Sequence, residues 1–504
     1  LARFPGQVGL MHSRLSDGER YDTWRRVRQG QLALLVGPRS ALFAPFPNLG
    51  LIIVDECHDD SYYQSDISPH YHARETAVMY AKNCNAVCLL GSATPDLESN
   101  YRAAQGKWSY IHLPERILAH RQSVQSQMDR LTAGGAVPRH SAYRPLSDLA
   151  ETTELPEVHV VDMRQELKAG NRSIFSRRLQ ENLKQVLDAN QQAILFLNRR
   201  GTATYVFCRN CGLTLKCPRC DIPLTYHTEP VSNTASAQAL YCHRCGYRRN
   251  NPKTCPECGS QHIRHYGTGT ERVEDEVQAL FPQARTLRWD YETTRQKGAH
   301  EAILHHFSTH QADVLIGTQM IAKGLDLPFV TLVGIILADA GLALPDLRAG
   351  ERAFQLLTQV AGRAGRSPLG GQAILQTFTP DHYVIQAAAR HDYASFYQQE
   401  LALRRQMGYP PFAQLVRLEI RQPDAAKAEN AAQSVATLLR SWLAADGDHQ
   451  TELIGPAPCF FARMDRQHRW QIILRGPDPA QRLRGRLSSL PSDWRIEVNP
   501  PSLL

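Results

Sequence analysis

The sequence predicts an α/β protein built on parallel sheets, and three apolar runs carry this prediction. Residues 51–54, 193–197 and 330–337 are stretches of almost unbroken apolar side chains, a pattern typical of strands buried on both faces of a parallel sheet. Helical segments alternate with these runs, and Ser16 with Glu19 three positions later is a capping-box signal for one helix start. The alternation predicts two parallel-sheet lobes. From about residue 393 it stops, and alternating strands at 416–420 and 470–474 predict a small α+β domain.

The composition describes a globular protein with a mildly basic balance. Lys and Arg number 57 against 49 Asp and Glu, a formal charge of +8, which permits nucleic-acid binding without requiring it. The longest apolar run, residues 330–338, is far shorter than a bilayer span, so we expect no membrane partner. The chain has 504 residues, which is too long for one ordinary core, and several domains are expected.

Most of the cysteines lie in one short segment, as C-x-x-C pairs. The pairs are Cys208/Cys211, Cys217/Cys220, Cys242/Cys245 and Cys255/Cys258. Each pair lets two thiolates reach one tetrahedral ion from a tight turn, so the set predicts two closed, structural zinc sites. Iron–sulfur ligation is the alternative, and local spacing leaves open which pairs share an ion. Thiols used in this way indicate a reducing compartment, and we expect a bacterial cytoplasmic protein.

A pair of acidic residues follows the first apolar run, where the strand should end. In open α/β sheets ligands bind at this carboxyl edge, and Asp55 with Glu56 suits nucleotide hydrolysis. Asp55 can hold the Mg²⁺ that bridges two phosphates, and Glu56 can orient or deprotonate water. An ordinary acidic turn is the competing interpretation. A second apolar run at 87–90 leads into GSATP at 91–95, and the two segments together resemble motifs II and III of superfamily 2 helicases.

Two loops near this site carry candidate nucleic-acid contacts. Arg39 leaves the end of another apolar run and could hold a nucleic-acid phosphate, although an ordinary connecting loop fits equally well. Tyr62, Tyr63 and Tyr71 lie in a polar loop. They could stack on unpaired bases or couple DNA to the acidic site, or they could pack the loop against its own domain.

The segment 355–366 predicts a helix that carries two arginines three residues apart. Arg363 and Arg366, with small residues between them, should lie on one face of that helix. Guanidinium groups placed in this way can neutralise the charge of a transferring γ-phosphoryl group. A generic basic helix is the alternative interpretation.

The motifs taken in order resemble the PriA family of bacterial primosomal proteins. They are GPRSALFAPF at 37–46, DECH at 55–58, GSATP at 91–95, NRRG at 198–201, the four C-x-x-C pairs, GTGTERVEDEV at 267–277, GTQMIAKGLDLP at 317–328 and QLLTQVAGRAGR at 355–366. The resemblance implies two RecA-like parallel-sheet helicase lobes, the first incomplete, with a Cys-rich two-zinc insertion in lobe 2 and a small α+β C-terminal domain. The expected segments are 1–116 (lobe 1), 117–155 (linker or insertion), 156–205 (lobe 2, first part), 206–262 (zinc insertion), 263–392 (lobe 2, second part) and 393–504 (C-terminal domain).

The resemblance also implies a 3′→5′ DNA helicase driven by ATP with Mg²⁺. It assigns His58 to coupling between the lobes, and it places Gln359, Arg363 and Arg366 in the nucleotide site from lobe 2. Gly324 and Asp326 would lie near the nucleotide, and Thr318 and Lys323 would contact DNA or couple it to hydrolysis. The zinc pairs of the family are nested, which implies Cys208/Cys211 with Cys255/Cys258 and Cys217/Cys220 with Cys242/Cys245. The implied partners of this monomeric protein are forked and single-stranded DNA, single-stranded DNA-binding protein and other primosome proteins.

Two departures from the family pattern limit these expectations. Cys57 stands where the family usually has a second glutamate, although the metal and base positions remain. No G-x-x-x-x-G-K-[ST] stretch occurs in the sequence, so we expect this chain to be the C-terminal portion of an active enzyme and not to hydrolyse ATP alone. The alternatives are a non-catalytic, zinc-containing scaffold for DNA or primosome proteins and a different helicase with an iron–sulfur cluster.

Overall fold

The computed structural model divides into two compact units, Leu1–Ser109 and Tyr110–Leu504. The residues that the structure describes are 4–12, 14–65, 69–113, 117–120, 143–145, 150–153, 155–198, 204–208, 211–219, 223–227, 239–242, 246–261, 263–265, 269–290, 293–294, 298–322, 327, 329–342, 344–366 and 369–504. Among these residues, no helix is long and apolar enough to cross a bilayer.

Within its described residues, the first unit contains three short strand pairs and three α-helices. Its strands are β1 (Val8–Leu10), β2 (Leu34–Val36), β3 (Leu51–Val54), β4 (Tyr63–Gln64), β5 (Tyr71–His72) and β6 (Val87–Leu90). Its helices are α1 (Asp17–Arg28), α2 (Ala73–Asn83) and α3 (Leu97–Ala104). β1 pairs with β2 and β3 with β6 in parallel, whereas β4 and β5 are antiparallel. The predicted capping box at Ser16 and Glu19 is present at the start of α1.

The prediction that residues 51–54 are buried on both faces is wrong. Leu51 and Ile53 of β3 are 52% and 62% exposed, and Val87 and Leu89 of the paired β6 are also exposed. Successive side chains of a strand point to opposite faces. One face of this strand pair packs on α2, whereas the described residues of the unit leave the other face in solvent. An apolar run therefore predicts the strand, but it does not report how many faces are covered.

The second unit contains a parallel sheet into which a smaller sheet is inserted. Its strands up to the C-terminal domain are β7 (Ile117–His120), β8 (Tyr143–Pro145), β9 (Ala150–Thr153), β10 (Glu157–Asp162), β11 (Gln192–Phe196), β12 (Thr204–Cys208), β13 (Thr225–His227), β14 (Ala239–Tyr241), β15 (Arg248–Asn250), β16 (Ile263–His265), β17 (Thr286–Trp289), β18 (Val314–Gly317), β19 (Val330–Ile335) and β20 (Gln372–Thr377). β7, β9 and β8 form a small antiparallel sheet inside the segment predicted as a linker or insertion.

Six of these strands form the parallel sheet of lobe 2, in the order β10-β20-β19-β11-β18-β17. The helices of this part of the chain are α4 (Met163–Lys168), α5 (Arg177–Asp188), α6 (Thr270–Leu280), α7 (Ala299–Ser308), α8 (Ala349–Ala361) and α9 (Tyr383–Ala389). Every residue of β11, β18 and β19 is buried, so the both-faces prediction is confirmed for this lobe. β12 to β16 form the inserted five-stranded sheet between β11 and β17.

The C-terminal domain is an antiparallel sheet covered by a long helix, as the strand pattern predicts. Its elements are α10 (Tyr393–Met407), β21 (Gln414–Gln422), α11 (Ala425–Ala445), β22 (Glu452–Met464), β23 (Gln467–Gly476), α12 (Pro479–Arg484) and β24 (Trp494–Val498). The sheet order is β22-β23-β21-β24. Alternate residues such as Val416, Leu418 and Ile420 pack with α11 in one core. The residues between them place Arg417 and Glu419 on the opposite face, buried and ion-paired.

Candidate functional site

The β3–β6 pair brings the DECH and GSATP stretches side by side. The Gly91 backbone N–H donates to the Val54 carbonyl at 2.9 Å, and the Cys57 N–H donates to the Gly91 carbonyl at 3.0 Å. A Cβ at Gly91 would lie 3.5 Å from Asp55 Oδ1, an ordinary van der Waals contact, so the second loop runs directly beside the acidic residue. The first bond continues the parallel ladder one residue beyond β6, and the second ties Cys57, three residues beyond β3, to the same glycine at the sheet edge.

Asp55 and Glu56 both face solvent at this turn. The Glu56 N–H donates to Asp55 Oδ1 at 3.0 Å, and Glu56 has a positive φ of 47°. A left-handed backbone at a residue other than glycine costs about 1–3 kcal/mol and persists only where the surroundings impose it. The strained turn keeps both carboxylates exposed and adjacent, and carboxylate oxygens of this kind are the ligands that Mg²⁺ prefers.

His58 links the two loops through its side chain. Its Nδ1 lies 2.7 Å from Ser92 Oγ and 3.6 Å from Glu56 Oε2, and only 6% of the side chain is exposed. Ser92 Oγ also accepts from the Thr94 N–H at 3.0 Å. One ring nitrogen of His58 is therefore close both to the glutamate of the acidic turn and to the serine of the second loop.

Cys57, at the position that departs from the family pattern, points into the core and not toward the acidic turn. It packs with Val54 and Ala77 and is 2% exposed. Burial, and secondarily the negative charge of Asp96, raises the pKa of its thiol to about 12. The thiol is therefore neutral at physiological pH.

The aromatic loop, which carries Tyr62, Tyr63 and Tyr71, is hydrogen-bonded directly to the acidic turn formed by Asp55 and Glu56. The Tyr62 hydroxyl donates to the backbone carbonyl of Asp55 at 2.7 Å. Burial, and then the nearby carboxylate of Asp55, raises the pKa of Tyr62, so this hydroxyl keeps its proton. The ring of Tyr71 makes an edge contact with the ring of Phe43, with 5.3 Å between the ring centroids. The ring centroids of Tyr63 and His72 are 6.3 Å apart.

Arg39 holds the same loop from its other side. Its Nη1 donates to the carbonyls of Ser61 and Tyr63, each at 2.9 Å. The structure thus gives Arg39 a role that the sequence did not suggest, since it ties the aromatic loop to the end of β2. A buried ion pair that sequence reasoning missed, Arg74 with Asp96 at 2.5 Å, lies beneath the turn, and Arg74 Nη1 reaches the Cys57 carbonyl at 3.4 Å.

The lobe 2 candidates lie around the end of α8. Gln359 lies on α8, which ends at Ala361. Arg363 follows in a tighter turn, and its N–H donates to the Val360 carbonyl at 3.1 Å. The predicted helix over 355–366 therefore ends early, because Gly362 favours leaving the helix, and a 3-10 turn follows at Ala364–Arg366. That Arg363 and Arg366 share one face stays a prediction. Arg363 is buried.

The other lobe 2 candidates are only partly described. Thr318 directly follows β18, with its carbonyl accepting from the Ile321 N–H at 3.0 Å. Lys323, Gly324 and Asp326 lie outside the described residues, as does the side chain of Arg366.

Four thiols of the inserted sheet converge on one point. The sulfur atoms of Cys208, Cys211, Cys255 and Cys258 all lie within 4.8 Å of one another, the nested arrangement that the resemblance implies. Four closely spaced thiols with no carboxylate or imidazole among them fit a structural zinc ion. Such an ion would hold the two ends of the insertion together.

The second predicted zinc site is only partly described. Cys217 and Cys242 are buried, whereas Cys220 and Cys245 lie outside the described residues. Gly246 has a positive φ of 72° and donates to the Cys242 carbonyl at 2.9 Å. Gly212 makes the same turn after Cys208 in the first site. The shared turn is the geometry that presents two thiolates to one ion.

Two family models match parts of the second unit. Residues 269–368 match the model of the helicase conserved C-terminal domain, and residues 405–501 match that of the primosomal protein N C-terminal domain. The chain also has a weaker likeness to the structure of RecG bound to a three-way DNA junction, with 13% identity and a TM-score of 0.36 over 81% of this chain and 40% of that chain.

Similarity to curated relatives covers almost the whole chain. The replication restart protein PriA of Bacillus subtilis is 45% identical over 98% of this chain and 56% of its own length. The PriA of Synechocystis is 43% identical over 94% of this chain and 53% of its own length. The chain thus spans about half the length of the curated relatives it matches. Identity at this level over nearly every described element shows that the chain belongs to the PriA family of replication restart proteins.

Proposed function

We propose that this chain supplies the water-activating, metal-holding and charge-neutralising groups of an ATP-driven 3′→5′ DNA helicase. In this proposal the helicase recognises forked DNA and starts primosome assembly during replication restart. The proposal is supported by one observation above the others: the adjacent, solvent-facing carboxylates of Asp55 and Glu56 are fixed at the end of a parallel strand, and Tyr62 of the aromatic loop is hydrogen-bonded to Asp55.

The acidic turn carries the proposed chemistry. Asp55 would hold Mg²⁺, which neutralises phosphate charge when it is bound with ATP. Glu56 would orient the attacking water and accept its proton. The contact of His58 with Ser92 and its 3.6 Å approach to Glu56 would keep that carboxylate directed out of the turn.

Lobe 2 would complete the site. Gln359, Arg363 and Arg366 are proposed to contact the nucleotide, with the arginines neutralising charge that develops on the transferred phosphoryl group. Gly324 and Asp326 would lie beside the nucleotide, and Thr318 and Lys323 would contact DNA. Two zinc ions would have a purely structural role, because each would be surrounded by four thiolates and would have no open position.

The proposed partners follow from the same assignment. Forked and single-stranded DNA would be the substrates, with Tyr63 and Tyr71 of the aromatic loop available for stacking. Single-stranded DNA-binding protein and other primosome proteins would be the protein partners of a monomer in the bacterial cytoplasm.

The test is ATP hydrolysis stimulated by forked DNA. We would compare this chain with a version extended upstream through the expected phosphate-binding loop, each with and without Glu56→Gln. We expect turnover only in the extended version and a loss of at least about a hundredfold with Glu56→Gln, since general-base catalysis contributes about 10²–10⁴-fold. Glu181→Gln, at an exposed position of α5, is the matched control and should leave the rate unchanged.

Other outcomes would redirect the proposal. Hydrolysis by this chain alone would mean that its phosphate contacts come from residues other than the expected loop. If neither version hydrolyses ATP while both bind DNA, a zinc-containing scaffold for DNA or primosome proteins becomes the better function. An iron–sulfur helicase would be revealed by a coloured protein that contains iron.

A further inference from the structure

We propose that Asp346 is a positioning residue for ATP hydrolysis. It would act by binding residues 501–504, here called the clamp, which hold the start of α8 in place. This inference rests on the proposed function and extends it. Asp346 precedes α8, the helix that carries Gln359 and leads into Arg363. The clamp joins the start of that helix to the C-terminal domain.

The carboxylate of Asp346 is completely buried, and all of its described partners belong either to the helix start or to the chain's last residues. It accepts from the Arg348 N–H at 2.8 Å, from Ser502 Oγ at 2.5 Å and from the Leu503 N–H at 3.2 Å. It also pairs with Arg352 Nη1 at 3.0 Å, and its side chain is 0% exposed. A buried carboxylate is stable only with such charge and hydrogen-bond partners.

Arg352 closes the same connection from the helix side. It lies in the first turn of α8, and its Nη2 donates to the Pro501 carbonyl at 2.5 Å. The carbonyl of Asp346 accepts from the Ala349 N–H at 3.1 Å, whereas the N-cap residue Arg348 provides no side-chain cap. Asp346 therefore satisfies two backbone N–H groups at the start of this helix, that of Arg348 through its side chain and that of Ala349 through its carbonyl.

The last residues of the chain also contact the C-terminal domain. Arg417 of β21 donates to the carbonyls of Ser502 and Leu504 at 3.3 and 3.5 Å. Leu504 packs in a cluster with residues of the helix start and of β22, and Leu503 packs in a second cluster that includes β21 and β23. Residues 501–504 thus contact lobe 2 and the C-terminal domain at once.

The contacts at the start of α8 bear on the proposed site because Gln359 lies on the same helix. Gln359 lies seven residues, or about two turns, after Arg352, so the two side chains share one face of α8. A second buried contact, Glu351 Oε2 with Arg404 Nη2 at 2.7 Å, holds the same turn from α10. A rigid helix fixed at its start by both contacts sets the position of Gln359 and of Arg363 beyond its end. Loosening the clamp should therefore lower the rate of hydrolysis more than the affinity for ATP.

The first test is hydrogen exchange of the backbone amides in this chain, with no nucleotide present. Ser502→Ala removes one donor to Asp346 and leaves the carboxylate paired with Arg352, so the variant should still fold. We expect exchange within 349–361 to rise about tenfold, the effect of losing one hydrogen bond to a charged group, while exchange in 414–422 is unchanged. Ser441→Ala, which removes an exposed hydroxyl on α11 bonded only within that helix, is the matched control. Unchanged exchange in 349–361 would overturn the clamp.

The second test uses the version extended upstream through the expected phosphate-binding loop. Asp346→Asn and Ser502→Ala should each lower kcat by about tenfold with KM for ATP within about twofold, and Asp346→Glu should recover part of the loss. Raised exchange with an unchanged kcat would overturn the positioning role and leave the proposed function intact. Absence of hydrolysis in the unsubstituted extended version would overturn the proposed function and the positioning role together, and the exchange data would still decide whether the clamp exists.

Discussion

Replacing Tyr62 by Phe tests how the aromatic loop communicates with the acidic turn. The substitution removes only the hydroxyl that donates to the Asp55 carbonyl at 2.7 Å, and it keeps the ring that packs with Val54 and Cys57. In the proposed helicase this hydrogen bond is the direct connection from the loop to the metal-holding residue. Its removal should therefore uncouple DNA from hydrolysis without disturbing the fold.

The size of the effect follows from one neutral hydrogen bond. Such a bond contributes about 0.5–1.5 kcal/mol net, and about 1.4 kcal/mol of barrier corresponds to a tenfold change in rate. We therefore expect Tyr62→Phe to lower the rate of ATP hydrolysis stimulated by forked DNA by about three- to tenfold. The rate without DNA should stay within about twofold, because Asp55 and Glu56 keep their own hydrogen bond.

The assay is steady-state ATP hydrolysis in the upstream-extended version, titrated with forked DNA, with the Kd for DNA measured separately. Tyr21→Phe removes a hydroxyl from an exposed tyrosine of α1 and serves as the control. If the variant keeps full stimulation at saturating DNA, the hydrogen bond carries no coupling. If the rates with and without DNA fall together, the tyrosine supports the turn itself, and the coupling argument is refuted.

Three further predictions concern the second unit. Arg404→Met leaves the buried carboxylates of Glu351 and Glu400 without their guanidinium partner. It should lower the free energy of unfolding, measured by urea denaturation, by about 3–5 kcal/mol. A loss under about 1 kcal/mol would contradict the stabilising role of these two ion pairs. Neighbouring arginines outweigh the effect of burial and lower the pKa of Glu419 from 4.5 to about 2. The stabilisation that Glu419 provides is therefore complete above pH 4.5 and disappears as the pH falls toward 2. Across that pH range the denaturation midpoint of Glu419→Gln should fall less than the midpoint of the parent chain. Cys211→Ser should reduce bound zinc, measured by atomic emission, by about one ion per chain, whereas Cys84→Ser, at an exposed thiol, should retain all of it; equal zinc contents would remove Cys211 from the site.

The apolar pattern predicted the strands better than it predicted their surroundings. β11 and β19 are fully buried as expected, because they lie in the interior of the six-stranded sheet. Leu51 and Ile53 have the same pattern but lie in a two-stranded sheet with one covered face. Coverage depends on elements distant in the chain, and a local run of apolar residues contains no information about them.

The candidate site shows the same division between chemistry and geometry. The acidic pair and the paired cysteines were predictable, because metal binding and water activation require those side chains at those spacings. The bond from Tyr62 to Asp55 involves a backbone carbonyl, which no sequence pattern records. The end of α8 before Arg363 was recognisable in part from Gly362, whose low helix propensity competes with an otherwise helical pattern.

The position of the inserted sheet has a consequence for how lobe 2 folds. β11 ends at Phe196 and pairs with β18, which begins only at Val314, with the whole insertion between them. Pairings this distant in sequence form slowly, because a long loop must close before any contact stabilises it. Convergence of Cys208 and Cys211 with Cys255 and Cys258 would shorten that loop before the sheet assembles. A lack of zinc during synthesis would then slow the pairing of the central strands and leave their apolar side chains exposed to aggregation for longer.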